Sequence, residues 1–382
     1  MEIIEGAYSS AHIFTTKNIN TGLDPYAASQ IKMICDNEVS KGCRIRVMPD
    51  VHPGVVGTIG LTMTIRDRIM PNLVGSDIGC GMTLAEIRAK GIEGKKADAI
   101  IRAGIPSGFM IRSRPHRSAE DFDFSALRCF SHIRTDRALL SLGTLGGGNH
   151  FIEIDRDDEG NLYIVIHSGS RSLGKEVTDY YLDQGRKCLK SKGLIVPREL
   201  TWLSGKLMED YLHDLQLVQS FASLNRRIIL DVLVKGMKWK VLNTNECIHN
   251  YVDDSPETYA LFSSPMLRKG AVSAMKDQTV IIPINMKDGI LLGRGLGSID
   301  WNCSAPHGSG RIMKREDVKK SFTVSAFRTE MKGIYTTCIG SDTLDEAPFA
   351  YRPMEEIEEA IGETVKIERI LRTVYNFKAG SR

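Results

Sequence analysis

The chain has 382 residues, 42% hydrophobic and 25% charged, the balance of an ordinary globular protein. A net charge of +3 is too small to argue by itself for nucleic-acid binding. No run approaches the ~20 apolar residues of a membrane helix, so no membrane partner is expected, and MEIIEGAYSSAHIF lacks the apolar heart of a secretion signal.

Alternating Ile59, Leu61, Met63 and Ile65 in IGLTMTI predict a half-buried strand. MTLAEIR (82–88), FIEID (151–155), LYIVIH (162–167) and TVIIPI (279–284) also read as strands, each ending close to a polar loop. Between them, apolar residues at 208, 211, 212, 215, 218, 222, 228, 229 and 232 have the spacing of a long amphipathic helix. Pro353 before MEEIEEAI suits a helix whose acidic first turn complements its dipole. Strands are therefore expected over 44–167 and 279–340, with a helical block near 176–235. The order predicts an α+β fold with one core, a single domain over 1–382, without the βαβ alternation of a doubly wound sheet.

Eight cysteines, at 35, 43, 80, 129, 188, 247, 303 and 338, form no CxxC pair. Neither a disulfide framework nor a zinc ribbon is indicated, and a reducing cytoplasm is the expected compartment.

Five glycine-rich polar loops interrupt this pattern: MPDVHPG (48–54), VGSDIGCGM (74–82), GTLGGGNHFIEI (143–154), HSGSR (167–171) and SAPHGSGR (304–311); CIHNY (247–251) is a shorter sixth. Glycine lets a ligand approach the main chain closely. Asp77, Cys80, His150, His167 and His249 fall in these loops, and thiolate, imidazole and carboxylate together suit a borderline divalent ion such as Mn, Co or Zn. A thiolate bridges two metals, and paired ions about 3.5–4 Å apart serve phosphoryl chemistry. Taken alone, Cys80 reads as a small buried hydrophobe and Asp77 as a turn former. The three loop histidines tip the balance.

GTLGGGNHF has no following GK[ST], and GRGLGS (293–298) lacks the strand–helix setting of a dinucleotide fingerprint. Both still offer backbone amides to a phosphate. In SAPHGSGR, an imidazole at His307 is a nucleophile toward phosphorus, flanked by amides and by Arg311 to neutralise phosphoryl charge. Asp50 or His52 is a candidate to orient it. Arg171 follows His167 in the same manner. His12, His116, His132 and His213 lie outside glycine loops and read as structural. Basic runs at 111–117, 266–270 and 313–320 read as solvated faces, or as a track for an RNA backbone.

MPDVH, GSDIGCGM, GGGNHFIE, HSGSR, HNY and SAPHGSGR, in this order, resemble the motifs of the RtcB-type RNA-splicing ligases over nearly the whole chain. The resemblance implies a distinctive α+β fold and an enzyme that uses GTP and Mn²⁺ to join an RNA 3′-phosphate or 2′,3′-cyclic phosphate to a 5′-hydroxyl. By motif match, Asp77, Cys80, His150, His167 and His249 would hold two manganese ions, with Cys80 bridging. His307 would carry the guanylyl group. Asn149, Phe151, Glu153, Asn250, Gly308, Ser309 and Gly310 would surround GMP, with Tyr351 and Lys378 at the guanine. Arg171 and Arg311 would hold RNA phosphate. The family's nucleotide loop, PGSMG, is matched to GRGLG (293–297), which brings in Arg294. The compact form is similar to bacterial members that accompany a release-factor-like protein, which points to the ribosome and to repair of tRNA or rRNA. Two other readings stay open: a dinuclear metal phosphoesterase acting on cyclic RNA ends, and an RNA-binding escort without turnover.

Overall fold

A computed structural model describes residues 1–16 and 22–379. Two sheets carry most of the strands. A six-stranded sheet runs in the order β1 (Glu2–Glu5), β2 (Ser10–Ile13), β3 (Ile45–His52), β4 (Ile59–Thr64), β12 (Met266–Lys269), β11 (Asn250–Asp253). A seven-stranded sheet runs β10 (Lys240–Ile248), β6 (Gly81–Arg88), β8 (Leu162–Ser168), β7 (Phe151–Arg156), β17 (Val365–Lys378), β15 (Gly289–Gly295), β14 (Thr279–Asn285). Two short pairs complete the set, β5 (Arg68–Ile69) with β9 (Leu203–Ser204), and β13 (Ala271–Ser273) with β16 (Ser304–Pro306). Pairing is antiparallel in both sheets except between β2 and β3, so the fold is α+β.

Every residue of β8 is buried, because both faces of the sheet are covered. On one face Tyr163 and Val165 join Met82, Leu84 and Ile281 and meet Ile357 and Ile361 of the helix Met354–Ile361. On the other, Ile164 and Ile166 meet Ala97 and Ile101 of the helix Gly94–Gly104, together with Ile229 and Leu233. Those last two lie on a 33-residue helix, Gly205–Met237, about 50 Å long at 1.5 Å per residue. Its earlier turns, through Leu215, Val218 and Phe221, enter a different core beneath the six-stranded sheet with Ile45, Val47 and Leu61. One helix thus packs against both sheets.

The helical block is two helices, Arg171–Ser191 and Gly205–Met237, close to the expected span. The expected strand clusters need correction. β1, β2, β10–β13 and the 14-residue β17 lie outside them, while 315–330 holds two helices, Arg315–Ser321 and Val324–Glu330.

Candidate metal and nucleotide site

Strand register gathers the polar loops. In the ladder β10–β6–β8–β7, Ile248 pairs with Gly81, Met82 with His167, and His167 with Phe151. Cys80, His150, His167 and His249 therefore sit at the same end of four adjacent strands, and the His249 N–H donates to the Cys80 carbonyl at 2.9 Å. His249 is also the residue at which the chain leaves the seven-stranded sheet and enters the six-stranded one.

Cys80 Sγ lies 3.4 Å from His150 Nε2 and 3.3 Å from His167 Nε2. His150 Nε2 is 3.2 Å from Asp77 Oδ2, and His167 Nε2 is 3.2 Å from His249 Nε2. His150 Nδ1–H donates to the Leu145 carbonyl at 2.9 Å, and His167 Nδ1–H to the Asn149 carbonyl at 3.1 Å. A carbonyl only accepts, so both rings donate through Nδ1 and turn Nε2 inward, the orientation of metal-binding histidines, with His150 Nε2 against the Asp77 carboxylate. Burial, reinforced by neighbouring imidazoles, pushes His167 and His249 well below the usual histidine range, which keeps those lone pairs free. Burial would raise the Asp77 carboxyl, but its bond to His150, with help from Cys80 and Arg171, holds it down at about 2. Burial and the Asp77 charge push the Cys80 thiol well up. Buried anion, thiol and convergent ring nitrogens fit a borderline divalent cation, whose charge would reverse the pressure on the thiol. Gly169 belongs to the same packing: a Cβ there would meet Asp77 Oδ1 at 2.1 Å.

His307 follows β16 and stands beside this cluster, its ring centroid 4.8 Å from that of His249. Its Nδ1–H donates to Asp50 Oδ2 at 2.7 Å, and its backbone N–H reaches the same oxygen at 3.2 Å. Asp50 is wholly buried on β3, and its other oxygen, Oδ1, has no partner. Asp50, not His52, is therefore the orienting partner, and it leaves His307 Nε2 with its lone pair outward. His52 bonds instead to the Asp50 carbonyl at 2.8 Å, and burial pushes it down to about 4. Gly310 cannot carry a side chain: its φ is +75°, and a Cβ would come within 2.5 Å of the Asp50 carbonyl oxygen.

A cavity with about 750 Å³ of empty space, its mouth included, opens in front of His307. Asn149, Phe151, Glu153, Gly308, Ser309 and Gly310 line it. So do Arg311, Tyr351 and Lys378. Burial raises the Glu153 carboxyl, partly offset by a 2.6 Å bond from Asn376 Nδ2 and by the Lys378 charge. Lys378 Nζ lies 2.5 Å from Glu346, which also pairs with Arg315. Asn250 and Arg171 lie outside the cavity lining. The Asn250 side chain accepts from the Gly270 N–H at 3.0 Å, and Arg171 binds the Thr144 hydroxyl at 3.2 Å and the Gly108 carbonyl at 3.0 Å.

A family model described as "tRNA-splicing ligase RtcB" matches residues 37–124 and 116–379. The chain belongs to the RtcB family. It is 31% identical to the RNA-splicing ligase RtcB of Escherichia coli (strain K12) over 366 residues, covering 86% of this chain and 88% of that protein. It is 27% identical to the tRNA-splicing ligase RtcB of Pyrobaculum aerophilum over 416 residues, 85% of each.

Within this RtcB chain, GRGLG does not reach the cavity. Arg294 lies at the end of β15 and binds Thr279 Oγ1 at 2.9 Å and Glu368 at 3.2 Å. Pro283, Ile284, Asn285 and Met286 form that wall instead. The signal was the proline: within a strand it belongs at an edge, and β14 is the edge of its sheet. Arg315, four residues after Arg311, and Glu346 also line the cavity unannounced. Glu346 stands in TLDEAPF, which carries no motif at all.

Proposed function

We propose that this chain is a GTP- and manganese-dependent RNA ligase, working as one catalytic unit in a reducing cytoplasm. Its substrates would be an RNA 3′-phosphate or 2′,3′-cyclic phosphate end and a 5′-hydroxyl end. The curated relatives are named RNA-splicing ligases, which supports the reaction class. The observation that carries the reading is His307, tied through Nδ1 to a buried carboxylate, with Nε2 facing outward between the Cys–His cluster and the cavity in front of it.

His307 Nε2 attacks the α-phosphorus of GTP. A P–N bond forms as the bond to pyrophosphate oxygen breaks, and Asp50 stabilises the positive charge left on the ring. Amides of Gly308, Ser309 and Gly310 face the phosphates, while Asn149, Phe151, Glu153, Tyr351 and Lys378 enclose the nucleoside. An oxygen of the RNA 3′-phosphate then displaces the imidazole, giving an RNA–pp–G end. The 5′-hydroxyl attacks the RNA phosphorus, loses its proton, and GMP departs. A cyclic end is first opened by water. Arg171 and Arg311 would balance the RNA phosphate charge. Two manganese ions on Asp77, Cys80, His150, His167 and His249 would neutralise the phosphates and stabilise departing oxygens.

Incubation with α-labelled GTP and Mn²⁺, followed by denaturation, is expected to leave an acid-labile, base-stable label on the protein. His307→Ala should abolish it, and a chelator should prevent it. An unlabelled wild-type chain that still hydrolyses cyclic ends would make this a metal phosphoesterase, and one that does neither an RNA-binding protein.

A further inference from the structure

A second cavity, with about 690 Å³ of empty space including its mouth, shares Lys378 in its lining with the first. Ser107, Gly108 and Met110 of a tight turn form its rim, with Phe109 projecting from the tip of the turn outside the lining; the Met110 N–H closes the turn on the Ser107 carbonyl at 3.2 Å. That turn is tied to the metal loops. The Gly108 N–H donates to the Gly146 carbonyl at 2.8 Å, four residues before His150, and Arg171 donates to the Gly108 carbonyl. Yet the turn presents two large apolar side chains to solvent: Phe109 is 79% exposed and Met110 62%. Adjacent exposed apolar residues on an anchored turn beside a catalytic cleft signal a partner.

The chain beyond the turn is basic. Arg112 is spent on the carbonyls of Gly104, Leu142 and Gly143, which stiffens the segment, while Arg114 and Arg117 remain exposed. Inside the cavity, Arg102 lies over the Phe377 ring at 5.1 Å. Asp342 and Thr337 add an acid and a hydroxyl to the wall. The two cations on the wall, Arg102 and Lys378, are already paired with Asp98 and Glu346, so Asp342 disfavours a phosphate there and the cavity suits a base or sugar, whereas Arg114 and Arg117 outside it suit phosphates.

We infer that the turn Ser107–Met110 and the cavity behind it form a subsite for an unpaired nucleotide next to the reacting RNA end. The base stacks on Phe109 and Met110, and the backbone runs out along Arg114 and Arg117. Aromatic stacking tolerates every base, so the subsite selects single-stranded character rather than sequence. This rests on the ligase reading for the identity of its ligand.

The test is equilibrium binding of a fluorescein-labelled single-stranded RNA hexanucleotide with a 3′-phosphate to the full chain, without GTP. Phe109→Ala/Met110→Ala should weaken binding about 10-fold or more, since stacking contributes roughly 5–150-fold per base. Phe109→Trp should retain affinity, and Ile195→Ala, at a still more exposed apolar residue elsewhere, should bind as wild type. A hairpin whose last nucleotide is paired should lose much less than the hexanucleotide. The inference is overturned if the double variant binds within twofold of wild type, or if hexanucleotide and hairpin weaken equally. Thermal melting shows that the double variant is folded. Failure of the ligase reading is seen separately, as a wild-type chain that takes no label from GTP. A hexanucleotide loss in that chain would still establish the subsite.

Discussion

At the scale of a single residue, the decisive contact is Asp50 with His307. A carboxylate only accepts, so it fixes the proton on Nδ1 and exposes Nε2. Asparagine in its place is isosteric but presents a donor as readily as an acceptor, and it removes the charge that stabilises a phosphorylated imidazole. Asp50→Asn should therefore slow appearance of the protein label by about 10²-fold or more, in line with tautomer and electrostatic effects at other catalytic histidines. On the proposed reading the cavity wall sets GTP affinity, which should change much less. Single-turnover labelling beside nucleotide binding separates the two, and a rate within threefold of wild type would assign the orientation to another group. His307 was legible in the sequence because a histidine among glycines has few structural uses. Its partner was legible only as one of two nearby polar residues, since the choice depends on how β3 and β16 approach in space.

At the scale of the element, the helix Gly205–Met237 explains how loops far apart in sequence hold one geometry. Where it passes from one core to the other, it carries two wholly buried polar residues, Asn225 and Arg226. Asn225 Oδ1 accepts from the Gly143 N–H at 2.7 Å, and its Nδ2 donates to the carbonyls of Thr144 and Gly169 at 3.1 Å each. Arg226 donates to the carbonyls of Gly79 and Ser168, both at 2.7 Å, and pairs with Glu246. The two residues thus brace the loops bearing Cys80, His150 and His167. Asn225→Ala would strand buried backbone groups at about 1–3 kcal/mol each, so a loss of roughly 2–4 kcal/mol is expected after partial relaxation. If the Cys–His cluster holds manganese as proposed, manganese bound per chain should fall with it. Denaturant unfolding and metal analysis check both, and unchanged metal content in a destabilised variant would limit Asn225 to folding. The sequence did hold the clue. The helical period puts position 225 on the buried face with 218, 222 and 229, where a polar residue stands out beside the apolar Leu224.

At the scale of the whole molecule, legibility followed the regularity of burial. β8 is packed on both faces, so its apolar run was plain; β4, expected to be half-buried from its alternation, is buried on both faces, Thr62 and Thr64 included. β10 is an edge strand with Asn243, Thr244 and Glu246 exposed, and it reads as loop. β17 was hidden because its register shifts between Thr373 and Tyr375 and opposite Leu292 and Gly293, and each shift breaks the two-residue period. This strand also ties the segment 315–351 to the site, through Lys378 on Glu346. Glu346 is almost wholly buried, and although burial would raise its carboxyl, Lys378 and Arg315 hold it at about 2, below its ordinary 4.5. The sign follows from linkage. A carboxyl depressed on folding stabilises the native state above its unfolded pKa, and that contribution is lost as pH falls from about 4.5 toward 2. A shift of this size is worth about 3 kcal/mol. Glu346→Gln should therefore lie furthest below wild type near pH 6, with the gap narrowing steadily below pH 4.5. Other acid-labile carboxylates are common to both proteins and cancel in the difference. Denaturant unfolding of both at pH 6 and pH 3.5 tests it, and a gap that stays constant or widens toward acid would show that the Lys378–Glu346–Arg315 cluster does not hold this segment to β17.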